Sequence, residues 1–268
     1  MIDALAFRSV FLKTLWERRH GLLFWSLGVG LLVVAVLSAW PSVHDEYAKL
    51  VENYPQGLLA FLGVDKAGLG SAAGYLQAEL FGLMVPLMLV GYAIAAGSAA
   101  IAGEEERGTL DLLLAQPVSR TRVMLQKFAA VVTALAVLST AFAAVLLVST
   151  SVFNLKVGVV DELAATLSAF LLAVLFGALA LAVGCATGHR TLAAGGASAL
   201  GFAAYLLTSL AGLVSGLRRF RPLSPFWWYS GNNPLQHGLS PLHVSILVAV
   251  TAGAIGVAAV TFRRRDIN

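Results

Sequence analysis

Charge is scarce in this chain. Of its 268 residues only 12% are Asp, Glu, Lys or Arg, whereas 59% are apolar. Soluble globular domains carry about 25% charge and about 45–50% apolar residues. A core of this size could not hide so much apolar surface, so lipid must be the solvent for much of it. Cysteine is nearly absent. The single Cys185 lies inside an apolar run, which excludes a disulfide framework or a thiolate metal site and marks it as a small core residue. The net charge of +4 does not point to nucleic acid, because the basic residues sit at the ends of apolar runs rather than along one face.

Catalytic signatures are also missing. There is no G-x-x-x-x-G-K-[ST], so nothing cradles a nucleotide phosphate and the chain alone should not hydrolyse ATP. There is no H-E-x-x-H, and His20, His44, His189, His237 and His243 are scattered, so no metal site is expected. Ion-coupled transport needs an ionisable group at membrane depth, and the centres of the apolar runs have none. Energy for any transport should therefore arrive from elsewhere.

Six runs are free of charge and long enough to cross ~30 Å of hydrocarbon as helices, which takes about 20 residues. They are Gly21–Val43, Leu80–Gly103, Phe128–Leu155, Leu163–Gly188, Thr191–Leu217 and Leu242–Phe262. Pro86 interrupts the second. The expected fold is an all-α polytopic membrane protein, one six-helix domain over 1–268. With both termini cytoplasmic, twelve Lys/Arg fall inside and six outside, as the positive-inside rule asks. The run "RRFR" at 218–221 then lies outside, against that rule. Before the first crossing, Leu5, Phe7, Phe11, Leu12, Leu15 and Trp16 share one arc of a helical wheel, with Asp3, Ser9, Lys13 and Glu17 opposite. Residues 1–20 therefore read as an interfacial amphipathic helix, the alternative being a plain extension of the first crossing. The first run is too long and starts too late for a cleaved signal peptide.

Against this background "GEEERGTLDLLLAQPVSRTRVMLQK", 103–127, stands out. It packs three glutamates, four basic residues and a proline between two apolar runs. Thr109 and Ser119 are candidate N-caps, with Asp111 in a first helical turn and a break at Pro117. The spacing predicts a rigid elbow with a short helix over Leu110–Ala115. A triple glutamate is a poor anchor to anionic lipid, and a protein partner explains it better.

These residues resemble the signature loop of the type-2 ATP-binding-cassette (ABC) transporter permeases: an acidic pair, Gly-Thr, a leucine-rich turn, then Pro-[VI]-[ST]-Arg before the third crossing. The ending "FRRRDIN" is similar to that family's Arg-Arg-Asp terminus, and the six-crossing layout extends the resemblance over essentially the whole chain. The resemblance implies a half-transporter permease in a prokaryotic plasma membrane. It would pair with a second copy or paralogue and dock a separate ATPase subunit that binds ATP and Mg, with no cofactor on this chain. Glu104, Glu105, Gly108, Thr109, Leu110, Leu113, Pro117, Ser119 and Arg120 match the loop and would form the ATPase docking site over 103–120, with Glu104 and Glu105 facing donors on the ATPase and Leu110 and Leu113 filling a groove there. Glu106 inherits no role. The outer aromatic loop 218–241, with Phe226, Trp227, Trp228 and Tyr229, would be an outer gate or an interfacial anchor. The apolar interior favours export of a hydrophobic or amphiphilic cargo such as a drug, antibiotic or lipid. A non-transporting anchor or force-transmitting subunit is the alternative. "GGASALGFAAY", 195–205, suits close helix packing.

Overall fold

The computed structural model describes residues 9–43, 55, 71–110 and 118–265. Regular structure among them is entirely helical. In chain order the elements are α1 (Val10–Ser38), α2 (Ala72–Leu76), a π turn (Gln77–Phe81), α3 (Met84–Ala100), α4 (Ala102–Glu106), α5 (Arg120–Val152), α6 (Val159–Thr187), α7 (Arg190–Leu210), a 3₁₀ helix (Ser215–Leu223), α8 (Pro225–Ser230), α9 (Pro234–His237) and α10 (Pro241–Arg264). Six spans are long and apolar enough to cross a membrane: Val10–Val43, Ala72–Ala100, Arg120–Val152, Val159–Thr187, Arg190–Leu210 and Pro241–Arg264. The chain is thus an all-α polytopic bundle with the six crossings its composition implies.

Serine starts several of these helices. The Ser9 hydroxyl accepts from the Leu12 N–H at 3.1 Å, Ser71 from Gly74 at 3.1 Å and Ser119 from Arg122 at 3.3 Å. Each satisfies one of the backbone donors that a helix start leaves over. The Ser119 cap is where the sequence places it. Residues 10–20 are helical but run into the first crossing without a break, as one helix of 29 residues. The rest of the expected interfacial segment, 1–8, lies outside the described residues.

The ends of the crossings depart from the charge-free runs. Helical hydrogen bonding does not stop at the first charged side chain, so α5 begins at Arg120 and not Phe128. Its 33 residues span about 50 Å, well beyond the hydrocarbon layer. The fifth crossing is shorter than expected, ending at Leu210, because the chain turns at residues 211–213 into the 3₁₀ helix. The second begins earlier, at Ala72, and is irregular. Pro86 has no N–H to give the Gly82 carbonyl, and the helix above it is broken by the π turn and by Leu83 at φ −141°, ψ −48°.

The fourth crossing, α6, is the centre of the bundle. Its apolar window is 72% buried, against 17% for each of the first and sixth crossings. It packs on the second, third, fifth and sixth, while the first lies along the third. The tightest point is between α3 and α6. A Cβ added at Gly97 would stand 2.3 Å from the Gly177 carbonyl oxygen, so only hydrogen fits and the two backbones touch. The small residues of 195–205 behave differently. Among the described residues nothing from the rest of the bundle lies within 4 Å of a Cβ position at Gly195 or Gly196, whereas Gly201 meets the Phe176 ring.

Candidate functional site

At one end of the bundle the three consecutive glutamates of α4 each reach a different crossing. Glu104 accepts from the Lys127 ammonium of α5 at 2.6 Å, and from the Thr109 hydroxyl at 2.5 Å. Glu105 pairs with the Arg265 guanidinium just past the end of α10. Glu106 accepts from the backbone N–H of Arg190, the first residue of α7, at 2.8 Å. A carboxylate at that position also meets the positive end of the α7 dipole.

Local chemistry explains how one short turn serves three partners. α4 is a single helical turn, so successive side chains point about 100° apart. It is closed by Gly108 at φ +67°, a left-handed conformation that glycine adopts without penalty. The chain then folds back: the Thr109 N–H donates to the Glu104 carbonyl at 2.9 Å, and Leu110 drops into a fully buried pocket against Ile101, Met124, Leu181 and Phe262. Arg265 is held on several sides. It donates to the Cys185 carbonyl at 3.2 Å, and its own carbonyl accepts from Arg120 at 2.7 Å. A Cβ on Gly188, which sits at φ +71°, would collide with Arg265 and Glu105 at 2.8 Å, so the left-handed end of α6 leaves room for this ion pair.

The Glu104–Lys127 pair is largely withdrawn from water, with 5% of the lysine and 15% of the glutamate side chain accessible. Burial alone would raise the Glu104 carboxyl. Hydrogen bonds from Lys127 and Thr109 and the charges of Lys127 and Arg107 outweigh that and hold it below its ordinary 4.5.

This arrangement gives the expected docking residues partners within the chain. Glu104, Glu105 and Leu110, assigned to meet an ATPase, find their donors and their apolar pocket within the chain. The reason is that α5 and α10 deliver Lys127 and Arg265 to the same helix end. Glu106, given no role, caps α7. Arg120 and Thr109 join the same network. The residues of the motif left facing outward are Gly108 and the Ser119 cap, with Arg107 beside them. Leu113 and Pro117, with Asp111 and most of the expected Leu110–Ala115 helix, lie outside the described residues. Sequence reasoning missed Lys127, Arg190 and Arg265 as partners. Lys127 had one local signal: it stands seven residues after Arg120, on the same face of α5.

The aromatic loop is at the opposite end. Phe226 and Tyr229, three apart on α8, turn inward and are buried, while Trp227 and Trp228 stay at the rim. The Tyr229 hydroxyl donates to the Phe81 carbonyl at 2.7 Å, at the broken part of the second crossing, and the Tyr229 carbonyl accepts from Ser168 of α6 at 2.8 Å. Burial pushes the Tyr229 phenol above its usual range, so it is a fixed donor. Ser224 donates to the Ala204 carbonyl at 2.7 Å and anchors the start of α8 on α7. The unexpected cations of "RRFR" lie on rings: Arg219 over Phe220 at 4.7 Å and Arg221 over Trp227 at 3.9 Å.

Six apolar crossings with a charged loop tied to several of them at one end define a multi-pass α-helical membrane protein. The family model for ABC-2 family transporter proteins matches residues 8–267, and the chain belongs to that family. It is the membrane permease subunit of an ABC transporter, not the ATPase, and the family implies a partner ABC ATPase subunit. Comparison with curated proteins finds no match.

Proposed function

We propose that the protein is the permease of an ATP-driven exporter of hydrophobic or amphiphilic molecules, and that the loop 103–120 carries movement from the ATPase into the bundle. Both termini are then cytoplasmic, and two copies or a copy and a paralogue form the working dimer. ATP and Mg reside on the ATPase. Within the loop the work is divided. Gly108, Ser119 and, in the segment between, Leu113 and Pro117 form the surface on which the ATPase sits. Glu104, Glu105, Thr109, Leu110 and Arg120 pass its displacement on. The outer hairpin with Phe226, Trp227, Trp228 and Tyr229 closes the exit.

The observation that supports this reading is the division of the three glutamates among the third, fifth and sixth crossings. A push on α4 cannot move one of these helices without straining its ties to the others. A loop that only anchors the chain at lipid headgroups has no use for such ties. The cargo class rests on the apolar crossings, which offer little to an ion or a sugar.

The test is the Glu104→Gln, Lys127→Met double variant, which removes the tie and leaves no stranded charge, co-expressed with its ATPase and reconstituted. It should retain the ATPase on purification and hydrolyse ATP, with transport per ATP reduced at least tenfold. Wild-type transport would refute the role of that tie. Full ATPase binding with no transport by the wild-type complex of any amphiphile would favour the force-transmitting alternative.

A further inference from the structure

Between the third and fourth crossings, away from the acidic loop, a groove of about 390 Å³ opens at the flank of the bundle. That lies within the ~300–1,000 Å³ of small-molecule sites. Its walls follow helical spacing: Ala136, Ser139, Thr140 and Ala143 from α5 face Leu163, Thr166, Leu167 and Phe170 from α6. Most of this surface is apolar. Its polar lining residues are Ser139, Thr140 and Thr166. Ser139 is only 6% accessible, yet its hydroxyl has no partner among the described residues. Beyond the lining, one position before Leu163, lies Glu162, 1% accessible, whose Oε2 has no partner among the described residues.

A buried hydroxyl and a buried carboxylate oxygen left open are exceptions to the rule that buried polar groups are satisfied. Glu162 lies in the first turn of α6, one turn from Thr166, which donates back to the Glu162 carbonyl at 2.8 Å. On the opposing helix Thr150 holds the carboxyl, so its second oxygen remains. Among the described residues, the charged neighbours of Glu162 in the chain are Asp161 and, exposed on the preceding loop, Lys156. The charge-free run starts at Leu163 and leaves Glu162 just outside the fourth crossing. The helix in fact begins at Val159 and takes the carboxylate inside. Ionisable groups there are expensive and face an internal partner or a pathway.

We infer that this groove is a binding site for a hydrophobic cation, whose apolar body lies between α5 and α6 and whose positive charge approaches Glu162 at the groove's end. An apolar wall beside a buried acid that lacks a full set of donors complements such a molecule in both shape and charge. The site is independent of the loop at the other end of the bundle and of any coupling to ATP.

The experiment measures saturable binding of tetraphenylphosphonium to the full chain in nanodiscs of neutral lipid. Wild type should bind it saturably. Glu162→Gln should weaken binding at least tenfold with an unchanged melting profile. Ala136→Leu, which fills the groove without touching an ionisable group, should weaken it to a similar degree. Asp161→Asn should leave it unchanged. Absence of saturable binding, wild-type affinity in Glu162→Gln or Ala136→Leu, or an equal loss in Asp161→Asn would each overturn the proposal. Should Glu162→Gln fail to fold, Ala136→Leu alone decides.

Discussion

Replacing Lys127 by methionine removes the ammonium and keeps the length and apolar stem of the side chain. The Glu104 carboxylate would then retain the Thr109 hydroxyl and the more distant Arg107 charge in a site where 15% of its side chain meets solvent. Breaking one side of a buried ion pair costs about 3–5 kcal/mol, because the surviving charge is left desolvated. Thr109 and partial water access put Lys127→Met at the lower end, about 3 kcal/mol. Glu104→Gln strands an ammonium that is only 5% accessible and should approach the upper end, about 5 kcal/mol. The double variant leaves no charge to solvate and should fall within about 1 kcal/mol of wild type, since well-packed neutral replacements of buried pairs are often tolerated. Unfolding in mixed micelles, followed by tryptophan fluorescence, measures all four corners of the cycle. The sign of the pH dependence follows too. Glu104 is depressed in the folded protein, so its contribution is present above the ordinary 4.5 and is lost as pH falls through the lower folded value. Variants lacking Lys127 should lose that acid-side slope. A Lys127→Met variant within about 0.5 kcal/mol of wild type, the range of ordinary surface substitutions, would refute the reasoning, since it would mean that water solvates the pair.

Gly97→Ala places a methyl 2.3 Å from a backbone oxygen and should cost at least the ~1–3 kcal/mol of overpacking. Gly195→Ala, with open space around it, should be neutral in the same unfolding assay. Tyr229→Phe strands a buried carbonyl, and should cost about 1–3 kcal/mol while speeding hydrogen exchange near Phe81; unchanged exchange would show that the hairpin does not hold the second crossing.

The crossings were legible because a charge-free stretch of some twenty residues suits lipid far better than water. Their ends were not, since α5 winds on through Arg120, Arg122 and Lys127 as readily as through apolar residues. The Ser119 cap was legible, being a contact over three residues. The partners of the glutamates were not, because only the closed bundle brings Lys127, Arg190 and Arg265 to one place. The inward turn of Phe226 and Tyr229 was half legible: three-residue spacing puts them on one face, but which face is buried depends on where α6 and α7 stand. The loop motif gave no sign of these contacts within the chain, because sequence cannot say whether an acid's partner is inside the chain or on another one.

The separations of the three glutamate contacts, 23 residues to Lys127, 84 to Arg190 and 160 to Arg265, have a consequence for biogenesis. A ribosome adding about 5–20 residues per second delivers these partners in that order, the last roughly ten to thirty seconds after Glu105 has been made. Throughout that delay Glu104 has its Lys127 partner available on the third crossing, while Glu105 has none and sits at a helix end where water can solvate it. An acid placed a turn or two deeper would have to wait in hydrocarbon. The Arg265 contact can therefore form only once the sixth crossing has been made.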